Sequence, residues 1–222
     1  MSTRSPGQRA GLTRQAVIEA AREIADRDGL DRLSMRSLAT ELGVMPNALY
    51  SHVAGKDALL DALLDDLLGQ VETAALDDWR SSLTALLDST RRVLVAHSRL
   101  IDAFLTRPTR GPNAMRLGER CLELLADGGM EGERAVRAFR SLLIFTLGFA
   151  AYEAPRAIDP DRSGRVAAGT ESFRAAGPRS SDAASELAAM PAGEDFHAAV
   201  RWMLDGVLGE VEDQPEHRVQ RQ

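Results

Sequence analysis

The chain has one cysteine, few aromatic residues and no long uncharged apolar run. Cys121 is the single cysteine among 222 residues, which excludes an internal disulfide framework and a Cys-rich metal site, and a reducing setting fits. The longest uncharged apolar stretch, residues 141–152, is far shorter than the ~20 residues that span a bilayer. Residues 1–12 are polar and have no apolar core of a secretory signal. We therefore expect a cytoplasmic protein that is not inserted in a membrane.

Signatures of catalysis and of metal binding are also missing from the sequence. It has no HExxH pair, no GxSxG, no Gly-rich phosphate loop and no acidic metal cluster. The four histidines are scattered along the chain: His52, His97, His197 and His217. We expect no enzymatic activity, no cofactor and no metal site.

Charge is unevenly distributed along the chain. Residues 1–56 carry eight Lys or Arg and six Asp or Glu, whereas the remainder has a net charge of −8, for a total of −6. The total excludes a bulk polycation that coats nucleic acid. The mildly basic N-terminal part and the acidic remainder indicate that the N-terminal part of the chain binds an anionic partner.

The first 52 residues have the spacing of a helix-turn-helix. Thr13 is the expected N-cap of a first helix that ends at Gly29, and Ser34 is the expected N-cap of a second that ends at Gly43. Only Gly43 and Val44 separate the second helix from a third short segment, residues 45–52. Two short helices joined by a tight turn that contains glycine are typical of this motif.

Helical periodicity continues through most of the remaining chain, and the fold class is therefore all-α. Further helices are predicted at about 56–71, 79–97, 113–125, 133–153 and 194–211. The segment 142–152 is apolar nearly all round, so it needs cover on more than one side, which a second subunit would supply. Residues 154–193 contain four prolines and little periodicity. We expect a mobile surface loop there, with a short helix at about 183–190.

The third segment has the composition of a short helix that enters the DNA major groove. Its apolar residues and those of the second helix form a small core: Leu38, Ala39, Leu42, Val44, Leu49 and Val53. The residues left outside are Arg36, Met45, Pro46, Asn47, Tyr50, Ser51 and His52. Tyr50 and His52 can hydrogen-bond phosphate oxygens, and Lys56 opens a helix whose free N–H groups also favour an anion.

These residues resemble the DNA-binding domain of the TetR family of bacterial transcriptional regulators. The family pattern is present as Leu42-Gly43-Val44, Leu49-Tyr50, His52-Val53, Lys56 and Leu59-Leu60. The resemblance implies a three-helix DNA-binding domain joined by a long fourth helix to a helical effector-binding and dimerisation domain. The implied boundaries are a flexible arm at 1–12, a DNA-binding domain at 13–70, a C-terminal domain at 75–212 and a flexible tail at 213–222. Arg4 and Arg9 in the arm could enter the minor groove, although a disordered tail is the simpler interpretation.

Weaker similarity to the tetracycline-repressor branch extends through the C-terminal part. Thr106-Arg107-Pro108 lies where that branch has a similar tripeptide beside its ligand pocket, and Phe145-Thr146-Leu147-Gly148 matches a helix of its dimer interface. The resemblance implies a homodimer formed through the helices near 133–153 and 194–211. Ala103 stands where the branch has a magnesium-binding histidine, so we do not expect a magnesium–tetracycline ligand.

The resemblance implies two sets of site residues. The expected DNA contacts are Ser34, Arg36, Met45, Pro46, Asn47, Tyr50, Ser51, His52 and Lys56, with Arg36 where the branch uses an arginine to read a guanine. The expected ligand contacts are Phe104, Arg107, Met115, Arg116, Glu119, Phe139 and Leu143, which suit a hydrophobic or amphipathic small molecule.

The expected function is that of a repressor released from a palindromic double-stranded operator by a small-molecule effector. Two alternatives stay open: an activator, and a helical ligand-binding or protein-interaction module that has lost DNA binding.

Overall fold

The computed structural model describes residues 12–154, 160–189 and 192–209, and within these ranges the regular elements are helices. They are α1 (Arg14–Asp28), α2 (Met35–Leu42), α3 (Pro46–Leu49), α4 (Lys56–Leu68), α5 (Trp79–Ala96), a 3₁₀ turn (Ser98–Leu100), α6 (Ile101–Thr106), α7 (Pro112–Asp127), α8 (Gly132–Glu153), α9 (Pro160–Arg174), α10 (Pro178–Ala189) and α11 (Ala192–Gly209). The all-α prediction is confirmed. The expected arm, apart from Leu12, and the expected tail lie outside the described residues.

Helix capping defines the helix-turn-helix as the sequence predicts. The Thr13 hydroxyl accepts a hydrogen bond from the Ala16 N–H at 3.1 Å and starts α1. Ser34 and Ser37 form a reciprocal capping box at the start of α2. Gly43 ends α2 at φ 62° and ψ 40°, a left-handed conformation in which a side chain would be strained.

The chain divides into two compact units, and the first contains more than the expected DNA-binding domain. It comprises the described residues up to Gln70 together with His97–Arg116, a stretch that the sequence analysis assigns to the C-terminal domain. Within this unit α1 packs against α2 and α4, and α2 packs against α3. The His97 Nδ1 lies 3.0 Å from an Asp26 carboxylate oxygen, which joins the residue before the 3₁₀ turn to α1.

The start of α7 is capped by a carboxylate from α4. Asp65 is only 8% exposed and accepts hydrogen bonds from the Ala114 N–H at 3.0 Å and from the Asn113 side-chain amide at 3.2 Å. A Cβ on Gly111 would lie 2.0 Å from the Asp65 Cγ. Glycine at position 111 is therefore what allows α4 and the start of α7 to approach this closely.

The second unit is built on the packing of α5 against α8, with α11 against both. The rings of Phe145 and Phe149 on α8 contact the buried ring of Phe196 on α11, at centroid separations of 5.5 and 5.2 Å. The buried guanidinium of Arg91 on α5 pairs with Asp88 and with Glu153. The ion pair and the aromatic cluster join these three helices.

The structure corrects several details of the predicted elements. Residues 160–189 are two helices, α9 and α10, packed on each other, so the expected loop over 154–193 is wrong for that stretch. The third helix stops at Leu49 rather than His52, and α4 stops at Leu68, where Gly69 ends it. The short α6 was not predicted. Among the described helices, α8 is the one that is long and apolar enough to cross a membrane, judged only by its length and hydropathy.

Candidate functional site

The nine predicted DNA contacts lie around α3, six of them exposed and Ser34, Pro46 and His52 half-buried. We call this set the α3 surface: Ser34, Arg36, Met45, Pro46, Asn47, Tyr50, Ser51, His52 and Lys56. Met45 is 76% exposed and Tyr50 is 54% exposed, which is unusual for apolar and aromatic side chains of this size. Asn47 and Ser51 are also exposed, and His52 is half-buried. All nine residues belong to the first unit.

Buried neighbours fix the backbone beneath this surface. Leu49 is fully buried and Val53 nearly so, and the Leu49 carbonyl accepts hydrogen bonds from the His52 and Val53 N–H groups at 2.9 and 3.0 Å. Pro46 stands at the first position of α3, where a missing N–H costs nothing. The exposed side chains therefore project from a rigid four-residue helix and the turn after it.

Two hydroxyl groups of the predicted set are already engaged in local structure. The Ser34 hydroxyl accepts the Ser37 N–H at 3.0 Å as the cap of α2 and donates its own proton to the Ser37 hydroxyl at 3.0 Å. The Ser51 hydroxyl donates to the Ala48 carbonyl at 2.8 Å, so its oxygen is left as an acceptor. Phosphate oxygens are acceptors only, which makes both serines poorer phosphate partners than Tyr50 or Arg36.

Arg36 and Lys56 supply the positive charge of the α3 surface. Both side chains are exposed, and neither has an ion pair within the described part of the chain. Lys56 is the first residue of α4, whose N-cap is Gly55, and no side chain caps this helix. Its first N–H groups are therefore available to an anion.

The seven expected ligand residues do not gather in one unit. Phe104, Arg107, Met115 and Arg116 belong to the first unit, and Glu119, Phe139 and Leu143 to the second. Phe104 is buried, whereas Met115, Arg116, Glu119 and Leu143 are exposed.

Arg107 is engaged by carboxylates of α4. It pairs with Asp57 at 3.1 Å and with Asp61 at 2.9 Å. The hydrogen bonds that the guanidinium donates to Asp61 and Asp57 raise its pKa above the ordinary value. Neither aspartate could be predicted from the sequence, because their residue type and spacing on α4 are those of an ordinary solvated helix face.

A cavity of about 570 Å³ lies in the second unit, between the segment 72–78, α5 and α11. None of the seven expected ligand residues lines it. Several of its charged side chains form ion pairs within the protein: Arg80 with Asp205 at 2.7 Å, Arg92 with Asp88 at 3.2 Å and His197 with Asp88 at 3.5 Å. Within the described ranges no cluster of His, Cys, Asp or Glu could hold a metal ion.

Family models match both parts of the chain. Residues 17–63 match the model described as bacterial regulatory proteins of the tetR family. Residues 73–211, more than half of the chain, match the tetracyclin repressor-like C-terminal domain. The chain belongs to the TetR family. The predicted resemblance is thereby confirmed, including the fold class that it implied.

Individual TetR relatives match the chain over part of their length. An HTH-type transcriptional regulator of Saccharopolyspora erythraea is 35% identical over 139 residues, which is 62% of this chain and 59% of the relative. The HTH-type transcriptional repressor DrrR1 of Streptomyces coeruleorubidus is 38% identical over 149 residues, 66% of this chain and 55% of the relative. The chain thus matches somewhat over half of the length of these curated relatives.

Solved structures of this family match almost the whole chain. ActR of Streptomyces coelicolor in its apo form is 28% identical with a TM-score of 0.77, and the match covers 93% of this chain and 99% of ActR. ActR in complex with actinorhodin is 29% identical with a TM-score of 0.80, covering 91% and 98%.

Proposed function

We propose that this TetR-family protein is a sequence-specific DNA-binding transcriptional regulator, and that it acts as a repressor. The observation that carries the proposal is the α3 surface, where exposed Arg36, Met45, Asn47, Tyr50 and Lys56 stand on a capped helix-turn-helix with no role in its core. A repressor among its relatives, DrrR1, supports the direction of regulation.

The proposed mode of binding places the α3 surface in the major groove. Asn47 and Arg36 have side chains that can pair with base edges, arginine with guanine and asparagine with adenine. Tyr50, His52, Lys56 and the free N–H groups that open α4 would hold the sugar–phosphate backbone on either side. The nine predicted contacts all enter the proposal, with Ser34 and Ser51 as the weakest of them.

The proposed active species is a cytoplasmic homodimer formed through α8 and α11. Val136, Ile144 and Tyr152 on α8 are each more than half exposed, and Trp202 on α11 is 72% exposed. Large exposed apolar side chains of this kind are typical of a protein–protein interface. In a two-fold dimer, two α3 surfaces about 34 Å apart would match successive major grooves of a palindromic operator.

A small-molecule effector completes the proposal. ActR has been crystallised with actinorhodin, which supports a small-molecule effector for a chain with the same fold. The seven expected ligand residues remain the proposed contacts, and a hydrophobic or amphipathic molecule remains the proposed class. The effector must bind one state of the dimer more tightly than the other, because only differential affinity can shift the separation of the two α3 surfaces.

Selection of genomic DNA fragments by the purified protein tests this function. The proposal predicts enrichment of a short palindrome, bound by two chains, with affinity that falls steeply as salt rises because phosphate contacts release counterions. A folded dimer that enriches no fragment at low or moderate salt would overturn it and favour a module that has lost DNA binding. Transcription from the selected promoter, with and without the protein, separates a repressor from an activator.

A further inference from the structure

Arg107 bridges the first two turns of α4. It lies just after α6, and its Nη1 is 3.1 Å from an Asp57 oxygen while its Nη2 is 2.9 Å from an Asp61 oxygen. The Nη2 also donates to the Asp57 carbonyl at 3.4 Å. Asp57 and Asp61 are four residues apart, so they share one face of α4. One guanidinium therefore engages two carboxylates that would otherwise repel each other.

The two carboxylates stand at the end of α4 that the proposed function turns toward DNA. Asp57 directly follows Lys56 and lies in the first turn, beside the uncapped N–H groups that favour an anion. The Asp57 and Asp61 side chains are 89% and 57% exposed. Without Arg107, their negative charges would repel an approaching phosphate at any separation shorter than the Debye length.

The segment that carries Arg107 is held in place by other contacts. His97 is bonded to Asp26 before it, and Asp65 caps the start of α7 after it. Exposed ion pairs contribute little to stability, and the Asp partners of Arg107 are mostly exposed. Removing the guanidinium should therefore change the charge at the start of α4 much more than it changes the fold.

We propose that Arg107 supports DNA binding through α4: it neutralises Asp57 and Asp61, so that Lys56 and the free N–H groups meet the phosphate backbone without repulsion from these two carboxylates. This inference rests on the proposed function. It gives Arg107 a role in DNA binding through α4, in addition to the ligand contact proposed above.

A charge-rescue experiment tests the role. Binding of the selected palindrome is measured by fluorescence anisotropy for the wild type, R107A, the D57N/D61N variant and R107A/D57N/D61N, at ~50 and ~300 mM salt. We expect R107A to bind roughly tenfold more weakly at low salt, with a smaller loss at high salt. We expect the triple variant to return to within about twofold of the wild type, because no charge is left to neutralise.

Several results would overturn the role of Arg107. Unchanged binding by R107A would show that the two carboxylates do not affect DNA binding. A loss in R107A that the triple variant does not recover would mean that charge is not the cause. Thermal unfolding of each variant checks that the fold is kept. If the wild type itself selects no DNA, the proposed function is wrong. The wild-type measurement therefore distinguishes failure of the proposed function from failure of the role given to Arg107.

Discussion

Single residues of the α3 surface differ in what they can recognise. Arg36 is exposed on α2 with its guanidinium free of ion pairs in the described part of the chain. Lys56 is a point charge at a helix start, suited to phosphate. The planar fork of an arginine can pair with two acceptors of one guanine, so Arg36 is the residue best suited to sequence discrimination.

Replacement of Arg36 should affect sequence discrimination as well as affinity. We expect R36A to weaken binding to the selected palindrome by ~1–3 kcal/mol and to relax preference at one base position per half-site. R179A removes the same charge from an exposed site on α10 and serves as the matched control. Anisotropy titrations on a panel of single-base variants measure both effects. An equal loss on every sequence would mean that Arg36 contacts phosphate only.

The single thiol of the chain is protected by burial. Cys121 is 4% exposed on α7, and burial raises the pKa of its thiol from 9.0 to about 12. The thiolate is the reactive form, so we expect no reaction with Ellman's reagent in the native protein near pH 8 and full reaction after denaturation. Because the unfolded chain releases this proton at a lower pH, stability should fall as pH rises between 9 and 12. Rapid native labelling would show that α7 opens.

Helix termini explain which elements the sequence predicts and which it does not. Thr13, Ser34 and Gly43 are local signals, and the structure uses each of them as a cap. The prolines of residues 154–193 suggest a loop, yet Pro160 and Pro178 open α9 and α10, as Pro46 opens α3. A proline fits the first helical position as well as it fits a turn, so the residue alone does not separate the two.

Contacts between residues far apart in the chain are the part of the structure that could not be predicted from the sequence. The pairing of Arg107 with Asp57 and Asp61, and the capping of α7 by Asp65, join residues 46 to 50 positions apart. Neither the charge pattern nor the periodicity of α4 distinguishes these aspartates from surface residues. By contrast, the α3 surface follows one continuous motif, so its exposed residues could be named from the sequence.

The junction between α4 and the start of α7 depends on the absence of a side chain at position 111. We expect G111A to lower the free energy of unfolding by ~2–3 kcal/mol, because its Cβ would displace the buried Asp65 carboxylate from the N-terminus of α7. G169A, in open space on α9, is the control and should be neutral or slightly stabilising. Denaturant unfolding measures both variants. Equal stability of G111A and the wild type would refute the close approach.

At the scale of the whole molecule, formation of the homodimer should depend on the exposed apolar side chains of α8. Ile144 is 58% exposed in the single chain. In a two-fold dimer a charge introduced there is present twice, so we expect I144D to weaken the dimer at least 100-fold. L76D, at a 51% exposed leucine outside α8 and α11, should stay dimeric. Sedimentation velocity at low micromolar concentration separates the two outcomes. A dimeric I144D would place the interface elsewhere.

The central claim is that the α3 surface is what binds the operator, and one comparison tests it most directly. Genomic fragment selection is run with the wild type and with R36A/Y50A/K56A, after both are shown to be folded dimers. We expect the wild type to enrich one palindrome and the triple variant to enrich none. If the triple variant enriches the same palindrome, DNA is bound by another surface of the molecule and the role given to the α3 surface is wrong.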